Sequence, residues 1–214
     1  MMKHSLVIAL VLGLAGMASA DLTFYGPADQ ADFAADSLIS MVETFDAVTP
    51  KDTRLSSFVS QGVTYTGIGG SPTPNVWVTS YSYGNFGVPV PDATVLTANG
   101  DEDFMMDVSA MGPITAVGFD TYLNAYGPAT IQILNDDGWT ATALAHDPTM
   151  VGFFGVTSDS PIAAIRWTTV NGRAINTGID NVQYGTVVPV PSAALLAMVG
   201  LGTVRWPLRR RRGA

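Results

Sequence analysis

The chain has 214 residues, a formal net charge of −8 and no cysteine. Disulfide staples and a cysteine nucleophile are excluded, so the fold must be held by its core. Histidines occur only at positions 4 and 146, which leaves no material for a multi-histidine metal centre.

In chain order, the first segment is Met1 to Ala20. Lys3 and His4 give a weakly basic start, Ser5 to Met17 is an apolar core, and Ala18-Ser19-Ala20 is a small-x-small site. This is the layout of a secretory signal peptide, and the exported chain is expected to begin at Asp21. All 18 acidic residues lie between Asp21 and Asp180, where the only bases are Lys51, Arg54, Arg166 and Arg173. Four positive against 18 negative charges leave that body at −14. Such a body repels nucleic acid and anionic headgroups, stays soluble and attracts divalent cations.

Residues 21–187 read as one all-β domain, rich in Thr, Val, Ile, Phe and Tyr and punctuated by Gly, Asn, Asp and Pro. One helix is expected at Ala28–Ser40, where Ala31, Phe33, Ala34 and Leu38 fall near helical spacing. Strands are predicted at Met41–Ala47, Val63–Gly67, Val76–Ser80, Thr94–Thr97, Phe104–Ser109 and Ile114–Leu123. Further strands are predicted at Ala129–Asn135, Trp139–Leu144, Val151–Thr157, Ile162–Val170 and Thr177–Tyr184. Ile131 and Ile133 alternate with Thr130 and Gln132, as in a half-buried strand. Asp136-Asp137-Gly138 is a hairpin turn, read as type I′ because Asp-Gly accepts positive φ. Ile162, Ile165 and Trp167 do not alternate, so that strand is expected to be buried on both sides or bulged. Many short strands in one chain imply a two-sheet β-sandwich or jelly roll.

Little in this body has the look of catalysis. His146 sits in a turn-like Ala-His-Asp-Pro context, and no nucleophile elbow accompanies it. Paired carboxylates could hydrolyse glycosides, but the densest cluster, Asp101-Glu102-Asp103, follows Asn99-Gly100 and reads as a solvated turn. Sugar binding needs exposed aromatic faces with polar side chains beside them. Trp77, Tyr81, Tyr83 and Phe86 cluster around a polar segment containing Asn85, and Tyr122 and Tyr126 near Asn124 form a second group. Trp139 and Trp167 lie inside strand patterns and are expected in the core.

The order Pro113–Asp120, Gly152–Trp167 and Gly178–Gly185 reads PITAVGFD, GFFGVTSDSPIAAIRW and GIDNVQYG. It resembles a lectin-like jelly-roll domain common in PEP-CTERM proteins. The resemblance implies the jelly-roll fold and, at most, a structural calcium between the first and last strands. Its ligands would come from Glu43 or Asp46 together with Asp180.

The last segment has three parts. Val188, Pro189, Val190, Pro191 and Ser192 form a Pro-bracketed break. Ala193 to Val204 is a short apolar run. Arg205 and then Arg209, Arg210, Arg211 and Arg212 close the chain. Ser192 to Leu208 is about 25 Å long as a helix, against a hydrocarbon core of about 30 Å, which suits a temporary anchor. Arg205 would snorkel and the arginine cluster would stay cytoplasmic. The layout resembles the sorting tail of PEP-CTERM proteins, with Val190 where that family has Glu. The resemblance implies export, passage through the inner membrane, processing by an exosortase-type transpeptidase, and final placement at the cell surface or in the extracellular matrix. The expected protein is a non-catalytic module associated with extracellular polysaccharide. The competing readings are a purely structural surface protein and, more remotely, a glycoside hydrolase.

Overall fold

The computed structural model describes residues 21–69, 74–80, 94–98, 103–123, 128–169 and 177–189. These residues form a sandwich of two antiparallel sheets, as the short strands and frequent turns predict. In chain order the elements are β1 (Leu22–Tyr25), helix α1 (Gln30–Asp36), β2 (Ser37–Glu43), β3 (Ser57–Ser60), β4 (Val63–Gly67), β5 (Val76–Ser80) and β6 (Thr94–Ala98). They continue as β7 (Phe104–Asp107), β8 (Ala116–Tyr122), β9 (Ala129–Asn135), β10 (Gly138–Leu144), β11 (Gly152–Ser158), β12 (Ala164–Thr169) and β13 (Gly178–Val187).

One sheet runs β1-β11-β8-β13-β6-β5, and β2 also pairs with β13. The ten-residue β13 is long enough to take β6 beside Ile179 and β2 from Val182 to Val187. The other sheet runs β10-β9-β12-β7-β4-β3. The core lies between the sheets, filled by Phe45, Tyr65, Phe104, Phe119, Ile131, Ile133 and Trp167 among others. Trp167 stacks on Phe104 with ring centroids 5.8 Å apart and planes 7° off parallel. Burial of each such side chain stabilises by about 1.5–3 kcal/mol, which lets a cysteine-free domain stand.

Several expectations needed correction. The helix is seven residues long and stops at Asp36, where the Ser37 hydroxyl donates to the Phe33 carbonyl and the chain turns extended. Leu38, expected on the helix's apolar face, is therefore in β2 and exposed. β1 and β3 were not foreseen, because a four-residue strand leaves too little alternation to read. The hairpin β9–β10 forms, with Asn135 opposite Gly138, but positive φ falls on Gly138 alone and not on Asp136 or Asp137. That is a type I turn closed by a left-handed glycine, not type I′. The Asn135 carboxamide oxygen accepts the Asp137 amide at 3.1 Å and holds the turn. Ile162 precedes β12, so Ile165 and Trp167 alternate normally within the strand.

The two sheets differ on their outer faces. Phe33 of α1, fully buried, lies on the seven-stranded sheet against Gly118, Gly155 and Phe153. A Cβ at Gly118 would sit 2.7 Å from the Phe33 ring, so glycine is what lets the helix close on this face. No described helix covers the six-stranded sheet. The expected leader (1–20) and all of the expected sorting tail beyond Pro189 lie outside the described residues. Among the described residues no helix is long and apolar enough to cross a membrane.

Candidate functional site

Strand parity defines the open face of the six-stranded sheet. Ala129, Ile131 and Ile133 of β9 point into the core, so Thr130, Gln132 and Leu134 point outward. The hairpin register sets Trp139 opposite Leu134 and Ala141 opposite Gln132, on the same outward side. On the other flank of β9, Arg166 of β12 lies opposite Gln132 and Thr168 opposite Thr130. Beyond β12 the outward positions are Met105 and Asp107 of β7, Thr64 and Thr66 of β4, and Ser57 and Val59 of β3.

Trp139 is 39% exposed, which corrects its expected place in the core. Trp167, by contrast, is buried as expected. The Arg166 guanidinium carbon lies 4.2 Å from the centre of the Trp139 ring, so one ring face rests on the cation. The indole thus lies over the sheet surface beside Gln132, with aromatic surface still open to solvent. Arg166 itself is half-buried, and its Nε is buried without an acceptor. The signal that locates Trp139 was present in the sequence. Counting through the two-residue turn from Ile133 puts the tryptophan on the polar side of the sheet.

The aromatic loop expected to bind sugar is placed only at its start. Trp77 stands on β5 opposite Thr97, half-buried, with the Arg54 guanidinium 4.8 Å from its ring centre. Its indole N–H is buried and has no acceptor among the described residues. Tyr81, Tyr83, Asn85 and Phe86 lie outside the described residues, as do Asn124, Tyr126 and the pair Asp101-Glu102. Tyr122, offered as exposed, is 3% exposed and belongs to the fold.

The carboxylates expected to hold calcium each have protein partners. Glu43 ends β2, is buried, and accepts the Phe45 amide at 2.7 Å and the Ser60 hydroxyl. Phe45 has φ +57°, so Glu43 steadies a left-handed residue whose ring fills the core. Asp46 accepts the Thr94 hydroxyl at 2.7 Å and the Thr44 hydroxyl at 3.0 Å. The Thr94 and Thr44 bonds hold its carboxyl below the usual range, with Lys51 adding to the effect. Asp180 is buried opposite Asp120 in the β13–β8 pairing and accepts the Asn181 amide at 2.7 Å. Asn181, at φ +49° in the bulge of β13, reaches across to Asp120 at 2.8 Å. Burial first, then Asp120, Asp46 and Glu43, push the Asp180 carboxyl up to about 7. Among the described residues no three potential ligands converge on a metal position.

His146 sits in a loop, as expected, and both its ring nitrogens are engaged. Nε2 is 2.9 Å from the Thr121 hydroxyl and Nδ1 is 2.9 Å from the Asp147 carbonyl. Nδ1–H therefore donates to the carbonyl and Nε2 accepts from Thr121, while the ring occupies the space where a side chain at Gly152 would be. Its work is to fix the loop against β8 and β11.

No family model matches this chain, and no curated protein does. Among solved structures it is similar to CBM29-2, a family 29 carbohydrate-binding module seen as a mutant complexed with mannohexaose. The TM-score is 0.44 at 13% identity, over 70% of this chain and 92% of that one. It is also similar to the CBM22-1 xylan-binding domain from Paenibacillus barcinonensis Xyn10C, with TM-score 0.42 at 12% identity, over 72% and 98%. A family 11 carbohydrate-binding module from Clostridium thermocellum, in complex with a β-1,3-1,4-mixed-linked tetrasaccharide, gives 0.30 at 11% identity, over 72% and 97%. Likeness at this level is one of β-sandwich architecture alone.

Proposed function

We propose that this chain is an exported, non-catalytic module that binds extracellular polysaccharide through the open face of its six-stranded sheet. The observation that carries the reading is Trp139, a large aromatic ring lying exposed on a sheet face with Arg166 and Gln132 beside it. Pyranose C–H faces stack on such rings, while amide and guanidinium groups orient hydroxyls. An exposed tryptophan contributes little to a fold, so its place here is better explained by a ligand. The signal-like start and the three-part end support export and tail-directed sorting at a cell surface or matrix. The transpeptidase and the inner membrane belong to the same proposal.

Affinity electrophoresis through gels containing β-glucan, mannan, xylan or a polyuronate tests the site. At least one polymer should retard the protein, and Trp139→Ala should remove that retardation. The melting temperature should move by the equivalent of about 1 kcal/mol or less, the size of a surface change. A truncated core tryptophan would instead cost about 3–5 kcal/mol. If Trp139→Ala is retarded as strongly as wild type and Tyr81→Ala/Tyr83→Ala is not, the site is the aromatic loop. If no polymer retards the wild type, the structural-protein reading takes over.

A further inference from the structure

We infer that the polysaccharide is acidic, and that the Arg166 guanidinium receives the carboxylate of a uronate residue while a sugar ring lies on Trp139. This rests on the binding face proposed above and names its ligand class.

Arg166 stands apart from the other charges described on this face. The body from Asp21 to Val188 holds 18 acidic and four basic residues, so an arginine on it has carboxylates in abundance to pair with. Arg166 pairs with none among the described residues. Its Nε is buried without an acceptor, and its guanidinium lies over the Trp139 ring. The outward positions of the six strands carry one carboxylate, Asp107, opposite Ala164 and one step from Arg166 along the sheet. That carboxylate is turned to its own loop, where Oδ1 accepts the Ser109 amide at 3.0 Å and the Ser109 hydroxyl at 2.6 Å. Among the described strand positions of this face, Arg166 thus has no carboxylate turned to it.

The buried Nε–H without an acceptor is the costly part of this arrangement, and an anion on the guanidinium would add charge-assisted hydrogen bonds to it. The geometry leaves the means to do so. Stacking on Trp139 uses the flat face of the guanidinium and leaves its in-plane N–H groups for an oxyanion. A carboxylate matches that fork in two parallel hydrogen bonds. Because ring and cation are in contact, one sugar residue on the indole and the carboxylate of that residue or its neighbour can engage both. Sulfate esters share the oxyanion chemistry, so the test must separate them. The net charge of the body opposes any polyanion, which makes salt dependence a poor readout and calls for a comparison on one polymer backbone.

The full chain is run through gels of polygalacturonate and of the same polymer with its carboxylates methyl-esterified, with dextran sulfate and the neutral glucan, mannan and xylan gels as references. Wild type should bind the free acid at least tenfold more tightly than the ester. Arg166→Gln should bring that ratio below about two while the ester is still bound, and Arg166→Lys should keep part of it. A wild-type ratio near one overturns the inference. So does a ratio unchanged by Arg166→Gln, or dextran sulfate bound as tightly as polygalacturonate. Should Arg166→Gln melt early, the wild-type ratio and Arg166→Lys still decide. Binding of a neutral polymer, lost in Trp139→Ala, with no preference for the free acid would sink the uronate while leaving the binding face intact. No retardation of wild type in any gel would sink both.

Discussion

At Glu43 a buried carboxylate does structural work that looks, from sequence, like ligand chemistry. It accepts the Phe45 amide and the Ser60 hydroxyl, and so holds a left-handed phenylalanine in the core. Glu43→Ala strands both donors, at about 1–3 kcal/mol each. The melting temperature should fall by several degrees whether or not calcium is present, as differential scanning calorimetry would record. A fall seen only with calcium would restore Glu43 as a ligand. Asp180 makes a different prediction. Its folded-state carboxyl is raised to about 7, first by burial and then by Asp120, Asp46 and Glu43, and that of Asp120 is raised by burial too. A proton held more tightly in the folded chain gives stability that is full below about pH 4 and is lost as the pH climbs through about 7. Wild type should thus melt higher at about pH 5 than at about pH 8. Asp180→Asn should be the more stable form at the alkaline end. The opposite slope, or no gain for the asparagine variant, contradicts the assignment.

Elements show where sequence reading succeeds and where it stops. The paired isoleucines of β9 and the Asp-Asp-Gly turn were readable, since alternation and turn chemistry are both local. The place of Trp139 follows from those two features, but only once the hairpin register is counted through. Glu43 could not be read in the same way: its role depends on Ser60, which comes from another strand. Nor could the seat of α1. Phe33 closes on Gly118 and Gly155, from β8 and β11, and only a contact between distant segments explains why both are glycine. Gly118→Ala would place a methyl group 2.7 Å from the Phe33 ring, with Phe153 at 3.0 Å. Overpacking of this kind costs about 1–3 kcal/mol. Hydrogen exchange should show α1 and β1 losing protection first, and unchanged protection in α1 would mean the helix has room to shift.

At the scale of the described molecule, one sheet carries a helix on its outer face, and no described helix covers the other, which bears an aromatic ring and a cation. That asymmetry suits the proposed binding module, because the helix-bearing side adds to the core and the other side can meet a ligand in its surroundings. The two ends of the chain bear on where those surroundings are. Intact-mass measurement of protein from the native host should give a chain that starts near Asp21 and lacks Arg209–Arg212. A chain that keeps the arginines would point to a simple anchor. The proposed binding face is tested most directly by tryptophan emission. The four tryptophans are Trp77, Trp139, Trp167 and Trp206. The polysaccharide that retards the protein most strongly should produce a saturable change in emission in wild type and in Trp77→Phe, and none in Trp139→Phe. The same saturable change in Trp139→Phe, or its loss in Trp77→Phe, would contradict a site on the open face.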